Sequence, residues 1–345
     1  MENPFELLCT IQGHAGVITL NRPEVLNVLN LTMLAAMKRQ LHDWSTNEQV
    51  KAVIVRGAGT KAFCAGGDVR AVFEARGNDE FMDRVYRVEY ELDEYISRYP
   101  KPYVALMSGY TMGGGCGISI HGKYRVVTET TVIAMPEVAI GLFPDIAAAH
   151  FLARCPGATG MYLGLTGARI SGADALYLGL ADYCLESESL DSLVAQLADS
   201  GDAERTLAQF AVPQQESRVE FLRQEIDACF SRDSVAEVLA ALQSQPGDWA
   251  REAGNAMRSA SPTSLEISFR VIREGRGKSL RECFSADFRV AQRLMRQKEY
   301  FEGVRALIID KDRKPRWNPP SLAAVDSQAI DKCFSSLGGS ELTFP

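Results

Sequence analysis

Two carboxylates interrupt an otherwise apolar segment, and they are the first candidates for chemistry in this chain. Glu137 and Asp145 lie in residues 135–145, which read Met-Pro-Glu-Val-Ala-Ile-Gly-Leu-Phe-Pro-Asp. Two prolines and a glycine prevent a continuous helix, so we predict a folded-back loop. Carboxyl groups in apolar surroundings hold protons tightly and suit acid–base or nucleophilic work. For Asp145 a second interpretation stays open, since it precedes a helix-like stretch at 146–154 and could be its N-cap.

Two glycine-rich segments are candidates for main-chain binding of an oxyanion. Residues 61–68 read Lys-Ala-Phe-Cys-Ala-Gly-Gly-Asp, and residues 108–117 read Ser-Gly-Tyr-Thr-Met-Gly-Gly-Gly-Cys-Gly. Glycine lets the backbone approach a ligand closely, and amides at a helix start have no helical partner. Such amides suit an anion or a developing oxyanion. An ordinary turn and close helix packing are the competing interpretations, and the absence of a GK[ST] sequence excludes a P-loop.

A further carboxylate lies where the helical pattern predicts an apolar face. Glu89 follows Val85 by four residues and precedes Leu92 by three. It therefore falls on the apolar stripe of its predicted helix. A site residue and a solvated residue at the edge of the stripe are both compatible with this position.

The elements that must position these groups alternate between short strands and amphipathic helices, which predicts an α/β architecture. Short apolar runs bounded by turn residues predict buried strands at 16–20, 52–56, 103–107, 124–128 and 131–134. Apolar spacing predicts a helix that begins after Asn30 as its N-cap. Beyond about residue 200 the pattern is helical, and Ser261-Pro262 marks the start of one helix.

Composition and charge exclude several classes of protein. The chain has 345 residues, of which 46% are apolar and 23% charged, as in ordinary globular proteins. A net charge of −7 argues against nucleic-acid binding, and no apolar run is long enough to span a membrane. Eight cysteines without a CxxC pair and four histidines without HExxH indicate reduced thiols and no zinc site. Because the first residues lack the features of a secretion signal, we expect a cytoplasmic protein.

Taken together, these segments resemble the enoyl-CoA hydratase/isomerase (crotonase) superfamily. GVITLNRPEVLNVLN resembles its first strand and CoA-contacting turn, and KAFCAGGDV and GYTMGGGCG resemble its two oxyanion-hole segments. Four further segments resemble one branch, the 3-hydroxyisobutyryl-CoA hydrolases of valine breakdown. They are KPYVALMSGYTMGGG, AMPEVAIGLFPD, SPTSL and FEGVRALIIDKDRKPRWNP. The resemblance covers essentially the whole chain, and the AMPE–GLFPD and EGVRA–IDKD segments are more specific than the glycine motifs.

The resemblance implies a fold and a set of functional residues. The fold is a spiral of ββα repeats with a helical C-terminal region, which we divide into a core with the CoA and acyl site at 1–200 and a helical region with a tail at 201–345. The implied residues are the oxyanion donors Gly67 and Gly114, the catalytic carboxylates Glu137 and Asp145, and the substrate-binding residues Glu89 and Ala65. Coenzyme A is then part of the substrate, with no separate cofactor and no metal. The family also admits a homo-oligomer formed through its C-terminal helices.

Four interpretations of the site stay open at this point. A thioester hydrolase is favoured, with Glu137 attacking the carbonyl or activating water. A hydratase of this superfamily needs a second glutamate that aligns with position 117, which here is glycine. An isomerase needs one carboxylate, and a silent CoA-binding protein needs none. If Gly117 lines the acyl pocket, a glutamate at this position is expected to be tolerated.

One segment departs from the hydrolase branch. Ala147, Ala148 and Ala149 stand where the branch carries a glycine-rich run. Their methyl groups are expected to narrow the acyl pocket. Restoring three glycines is expected to lower helix stability by up to ~3 kcal/mol.

Overall fold

The computed structural model describes residues 5–213 and 215–344, and it confirms the α/β class. Its strands are β1 (Leu7–Gln12), β2 (Ala15–Leu20), β3 (Ala52–Gly57), β4 (Ala62–Cys64), β5 (Tyr103–Met107), β6 (Tyr110–Met112), β7 (Tyr124–Thr128), β8 (Val132–Ala134), β9 (Ile170–Ser171) and β10 (Tyr183–Leu185). The helices that precede residue 200 are α1 (Leu31–Thr46), α2 (Val69–Glu74), α3 (Asp79–Ser97), α4 (Gly114–Ile120), α5 (Ala148–Leu152), α6 (Thr159–Thr166), α7 (Gly172–Tyr177) and α8 (Leu190–Ser200). Those that follow are α9 (Ala203–Phe210), α10 (Arg218–Phe221), α11 (Arg223–Phe230), α12 (Val235–Ser244), α13 (Asp248–Ser259), α14 (Pro262–Gly275), α15 (Leu280–Leu294), α16 (Lys298–Val304) and α17 (Ser327–Phe334).

The chain forms two compact units, each assembled from three separate stretches. The first takes in the described residues of 1–68, 88–133 and 170–220, and the second those of 69–87, 134–169 and 221–345. The predicted division of the chain at residue 200 stays a prediction. Within the described residues, no helix is both long and apolar enough to cross a membrane. Residues 1–4 of the segment considered as a secretion signal lie outside the described residues.

Two sheets organise the first unit. The larger has the strand order β1-β2-β3-β5-β7-β10, in which β1 and β2 form an antiparallel hairpin and the other neighbours are parallel. The smaller has the order β4-β6-β8-β9. Apolar residues of β2, β3, β5 and β7 pack with α8 and α9 to form a buried core. Burial of this apolar surface stabilises the scaffold from which the glycine-rich loops project.

The five predicted strands are confirmed, with edges that match to within one residue. They are β2, β3, β5, β7 and β8. Five further strands were not predicted, for two physical reasons. β1 is an edge strand with mostly exposed residues, so it lacks a buried alternating pattern. β4, β6, β9 and β10 have only two or three residues each, too few for a periodicity to show.

Two helix starts are confirmed at the level of single hydrogen bonds. The Asn30 side chain accepts a hydrogen bond from the Met33 amide at 2.8 Å, which caps α1. The Ser261 hydroxyl accepts one from the Ser264 amide at 3.1 Å, which caps α14. Each cap satisfies an amide that the first helical turn leaves without a partner.

Candidate active site

The first predicted oxyanion donor, Gly67, is held in place by a parallel bridge to Leu29. The Leu29 amide donates to the Gly66 carbonyl at 2.8 Å, and the Asp68 amide donates to the Leu29 carbonyl at 2.8 Å. Because the two neighbours of Gly67 make both bonds of the bridge, the amide of Gly67 points away from Leu29. The loop after β4 therefore presents this N–H on its other side.

Two polar side chains that sequence reasoning missed hold this loop. Arg22 pairs with Asp68, with Nη1 to Oδ2 at 3.1 Å, directly after the two glycines. Asn27 is fully buried in the left-handed conformation at φ 58°, and its amide donates to the Ala62 carbonyl at 2.9 Å. Ala65 is half-buried in the same loop. Asparagine tolerates this conformation better than most residues, which is the signal in the sequence that could have identified it.

The second predicted donor, Gly114, is the first residue of α4 and follows Gly113 at φ 48°. A Cβ atom on Gly114 would overlap Glu89 Oε1 and lie 3.3 Å from the amide nitrogen of Gly67. The structure therefore brings Gly67, Gly114 and Glu89 together. Glu89 is only 5% exposed, so its interpretation as a solvated edge residue is wrong. A side chain at position 114 would require the Glu89 carboxylate to move, because Glu89 Oε1 lies where the Cβ would be.

One turn along α3, a second carboxylate covers Gly117, another glycine of α4. Asp93 is fully buried, and a Cβ on Gly117 would overlap its Oδ2. The expectation that position 117 accepts a glutamate is therefore wrong, because Asp93 already fills the volume in which that side chain would begin. Asp93 lies four residues after Glu89, and this spacing on one helix face is the signal that could have identified it.

The buried thiol beside these groups is not a nucleophile. Cys64 ends β4, and its Cβ would lie 2.9 Å from a Cβ on Gly115. Burial, with smaller contributions from the charges of Glu89 and Asp93, raises the pKa of Cys64 to about 12. The thiolate is the reactive form of cysteine, so a thiol that stays protonated at neutral pH cannot attack a thioester.

In the second unit, Glu137 lies in a tight turn, which confirms the predicted folded-back loop. It begins a 3-10 helix of one turn that ends at Gly141, and it is 6% exposed. Gly141 has φ 76°, and a Cβ there would lie 2.7 Å from the Glu299 carbonyl. The Ser261 amide donates to the Val138 carbonyl at 3.2 Å. The starts of α14 and α16 thus hold the Glu137 turn from two sides.

The support behind the Glu137 turn is itself polar and buried. The Ser261 hydroxyl donates to Glu299 Oε1 at 2.8 Å. Burial raises the pKa of Glu299, although hydrogen bonds from Thr263 and Ser261 oppose this shift. Because Ser261 and Thr263 belong to the SPTSL segment, that segment links the cap of α14 to the turn that carries Glu137.

Asp145 is buried, at 5% exposure, but it is not the N-cap of the following helix. α5 begins at Ala148, and its N-cap is Ala147. The cap interpretation of Asp145 and the predicted start at 146 are wrong. The physical reason is that Ile146 and Ala147 both adopt left-handed conformations, at φ 55° and 54°, which end the loop and delay the helix.

A buried aspartate from a distant helix holds the turn after Asp145. The Ala147 amide donates to Asp287 Oδ2 at 2.7 Å, across 140 residues of sequence. Asp287 lies in α15 and is fully buried. Burial, and next the charge of Asp145, raise the pKa of Asp287 well above its ordinary range. Its place between Phe284 and Phe288 on an apolar helix face is the signal in the sequence that could have revealed it.

The left-handed backbone at Ala147 reverses the expected effect of glycine at this position. Ala147 and Ala148 are both fully buried, so Ala147→Gly and Ala148→Gly remove the same buried methyl group and add the same chain flexibility. Only Ala147→Gly relieves the strain of an alanine in the left-handed conformation, which costs about 1–2 kcal/mol of folding free energy. We expect Ala147→Gly to be the more stable variant by this amount in urea unfolding. Equal midpoints would show that the Ala147 backbone carries no strain.

The described residues contain no group of three or more His, Cys, Asp and Glu side chains arranged to hold a metal ion. Within the first unit, Glu89 lies beside Gly67 and Gly114. Within the second unit, one loop carries Glu137 and Asp145.

Comparison with known proteins connects this geometry to a family. Residues 15–334 match the family model described as enoyl-CoA hydratase/isomerase. A relative from Danio rerio, named 3-hydroxyisobutyryl-CoA hydrolase, mitochondrial, is 43% identical, over 98% of this chain and 91% of its own length. Both findings cover nearly all of the chain.

Solved structures share the fold. A structure described as a carnitinyl-CoA dehydratase from Mycobacterium thermoresistibile has a TM-score of 0.94 at 36% identity and covers 98% of both chains. One described as an enoyl-CoA hydratase from Rhodobacter sphaeroides 2.4.1 has a TM-score of 0.91 at 37% identity, over 98% of this chain and 100% of that one. The crotonase-type fold expected from the sequence is confirmed, while the names of these relatives span hydrolase, dehydratase and hydratase.

Proposed function

Because this chain belongs to the enoyl-CoA hydratase/isomerase family, we propose that it is an acyl-CoA thioester hydrolase whose substrate is 3-hydroxyisobutyryl-CoA. The hydrolase named among its relatives, 43% identical over 98% of the chain, supports this choice. The observation that carries hydrolysis over hydration is the glycine at position 117, because its Cα is covered by Asp93. The glutamate that a hydratase of this family places there has no room in this chain.

The amides of Gly67 and Gly114 bind the thioester carbonyl oxygen in this proposal. Their proximity beside Glu89 supports the assignment, since two converging N–H groups form an oxyanion hole. The hydrogen bonds strengthen as the oxygen gains negative charge, so they stabilise the transition state more than the substrate. A Cβ on Gly114 would displace the Glu89 carboxylate, whereas a Cβ on Gly67 would lie 4.0 Å from Glu89 Oε1, an ordinary contact.

Glu137 is the nucleophile. Its carboxylate attacks the thioester carbon, the carbon–sulfur bond breaks, and the coenzyme A thiolate leaves and takes a proton. The resulting mixed anhydride then reacts with water, which releases the acid and restores the Glu137 carboxylate. The near-complete burial of Glu137 supports this role, because a poorly hydrated carboxylate is a stronger nucleophile than a solvated one. In the alternative step, Glu137 acts as a general base and activates water directly.

The remaining site residues bind the substrate. Asp145 accepts a hydrogen bond from the hydroxyl of the acyl group or exchanges a proton with the leaving thiolate. Glu89 lines the acyl pocket beside Gly114, and Ala65 lies along the adenine or pantetheine arm. The buried position of Asp145, together with its place outside the helix cap, supports a role beyond local structure.

A hydratase or dehydratase is the second candidate, and the names of two structural relatives favour it. It would need a second proton-transfer group in place of a side chain at 117. An isomerase, which uses one carboxylate, and a catalytically silent CoA-binding protein are the further alternatives. The hydrolase, the hydratase and the silent binder each give a different result with the same small set of thioesters.

The test is a release assay on 3-hydroxyisobutyryl-, 3-hydroxypropionyl-, acetyl- and crotonyl-CoA. We expect free thiol to appear fastest with the hydroxylated acyl groups, because Asp145 recognises the hydroxyl. Loss of the crotonyl absorbance without thiol release would establish a hydratase and contradict the proposal. Tight binding of the thioesters with neither signal would establish a silent binder.

This activity places the protein in valine breakdown, where 3-hydroxyisobutyryl-CoA is cleaved. The relative from Danio rerio is named as mitochondrial, and a cytoplasmic location of this chain stays a prediction. Assembly through the C-terminal helices, and catalysis without a separate cofactor, stay predictions. Light scattering on the purified protein tests the first, and turnover after exhaustive dialysis tests the second.

A further inference from the structure

The turn after Asp145 contains a buried carboxyl group that the proposed mechanism does not use. Asp287, on α15, is fully buried and accepts the Ala147 amide through Oδ2 at 2.7 Å. Its second oxygen, Oδ1, has no hydrogen-bond partner among residues 5–213 and 215–344. Within the same described residues, no lysine or arginine forms an ion pair with it. A buried, ionised carboxylate in such a place would be strongly destabilising.

A proton on Asp287 removes this buried negative charge. One oxygen, Oδ2, accepts the Ala147 amide and therefore acts as the carbonyl oxygen of the acid. The proton then resides on Oδ1, so the buried carboxyl group carries no charge. Asp145 lies two residues before Ala147 and is itself buried, and its negative charge favours the protonated form of Asp287.

We infer that Asp287 is a positioning residue that holds one proton for a buried acid pair with Asp145, so that Asp145 stays ionised and correctly oriented toward the acyl group. The inference rests on the proposed function only for the role of Asp145. The pair carries one negative charge at neutral pH. At higher pH the second proton leaves, and two like charges then repel each other within the turn.

The other charged groups around α15 do not neutralise an ionised Asp287 in place of this proton. Lys278, which precedes α15, opposes the pKa shift of Asp287 but leaves it well above the ordinary range. Burial raises the pKa of Cys283 on α15 to about 11, so this thiol is neutral. The other charged or titratable groups on elements packed against α15 are Arg87 over Phe288, His150 on α5 with Arg154 just after it, Glu266, Arg270, Arg273 and Glu274 on α14, and Asp331, Lys332 and Cys333 on α17.

The test compares the wild type with Asp287→Asn. The asparagine oxygen can still accept a hydrogen bond from the Ala147 amide, and the NH₂ group takes the place of the acid's O–H group. The asparagine side chain cannot ionise. We expect the kcat/KM of the wild type for 3-hydroxyisobutyryl-CoA to fall at alkaline pH as Asp287 ionises. In Asp287→Asn this alkaline decline is absent. Identical pH profiles for the two proteins would overturn the inference and leave Asp287 as a purely structural acceptor.

Unfolding in urea tests the proton without any reference to activity. Because the pKa of Asp287 is raised in the folded state, its stabilising effect is complete below its unfolded pKa of 3.8 and is lost as pH rises toward the folded pKa. Between the unfolded and the folded pKa of Asp287, the unfolding equilibrium constant of the wild type should rise by about tenfold per pH unit relative to Asp287→Asn. Parallel pH dependences would overturn the inference. A protein that cleaves no thioester but shows this difference would refute the proposed function alone.

A measurement on the wild type covers the case in which Asp287→Asn does not fold. Infrared spectroscopy at neutral pH detects the carbonyl stretch of a protonated carboxyl group, which ionised carboxylates lack. We expect a band that disappears only at alkaline pH. Absence of any protonated aspartate at neutral pH, in protein carrying isotopically labelled aspartate, would overturn the inference.

Discussion

Glu137→Gln should abolish thioester hydrolysis while leaving the binding of CoA thioesters nearly intact. The amide has the same shape as the carboxylate, so it preserves the turn that the Ser261 amide and the Glu299 carbonyl support. It cannot form the anhydride or accept a proton from water. We expect a loss of at least a thousandfold in kcat, or about 4 kcal/mol of transition-state stabilisation.

A half-buried glutamate in the same unit offers a matched control. Glu266 on α14 is half-buried, and burial raises its pKa, as expected for a carboxyl group removed from water. Glu266→Gln should keep nearly full activity. If Glu137→Gln kept more than about a tenth of the wild-type rate, the Glu137 carboxylate would lower the activation free energy by less than about 1.4 kcal/mol. Glu137 would then not be the nucleophile.

Gly114→Ala should cause the second-largest loss of kcat. The substitution removes no charged group, but it adds a methyl group where there is no space for one. The new methyl group would overlap Glu89 Oε1 and lie 3.3 Å from the Gly67 amide nitrogen. Either the Glu89 carboxylate or the α4 backbone must move, and we expect either change to weaken the binding of the thioester oxygen by the two amides. Loss of one oxyanion donor typically costs about 3–4 kcal/mol, so we expect kcat to fall by about a hundredfold to a thousandfold.

The matched control for this substitution is Gly339→Ala. Gly339 lies near the C-terminus, and a Cβ there meets no atom within 4 Å. This variant should match the wild type in both activity and urea midpoint. A fully active Gly114→Ala protein would show that the amides beside Glu89 do not bind the thioester oxygen.

Local features of the fold were predictable because their causes lie close together in sequence. β5 and β7 match their predictions to the residue, since each is a short apolar run between turn residues. Asn30 and Ser261 were identified as caps because a cap bonds an amide only three residues away. Glu137, Asp145, Glu89 and the two glycine-rich segments were singled out from the sequence pattern, and a family resemblance that spans the chain then supplied their roles.

The surroundings of those site residues were not predictable, because they depend on contacts between distant parts of the chain. Asp93 covers Gly117 from another helix, so a position that seemed open to a glutamate is closed. Asp287 reaches the Ala147 amide across 140 residues. The error at Asp145 has the same origin, because an aspartate before a helix-like run suggests a cap, while Ile146 and Ala147 adopt left-handed conformations.

The most direct test of the central claim, that Glu137 receives the acyl group from the thioester, is chemical trapping during turnover. Borohydride reduces an anhydride at Glu137 to an alcohol, and mass spectrometry of the peptide containing residues 135–145 detects the change. The account predicts reduction at Glu137 that requires 3-hydroxyisobutyryl-CoA, proceeds together with loss of activity, and is absent in Glu137→Gln. An unmodified Glu137 peptide from enzyme that hydrolyses the thioester at its full rate in the presence of borohydride would contradict it.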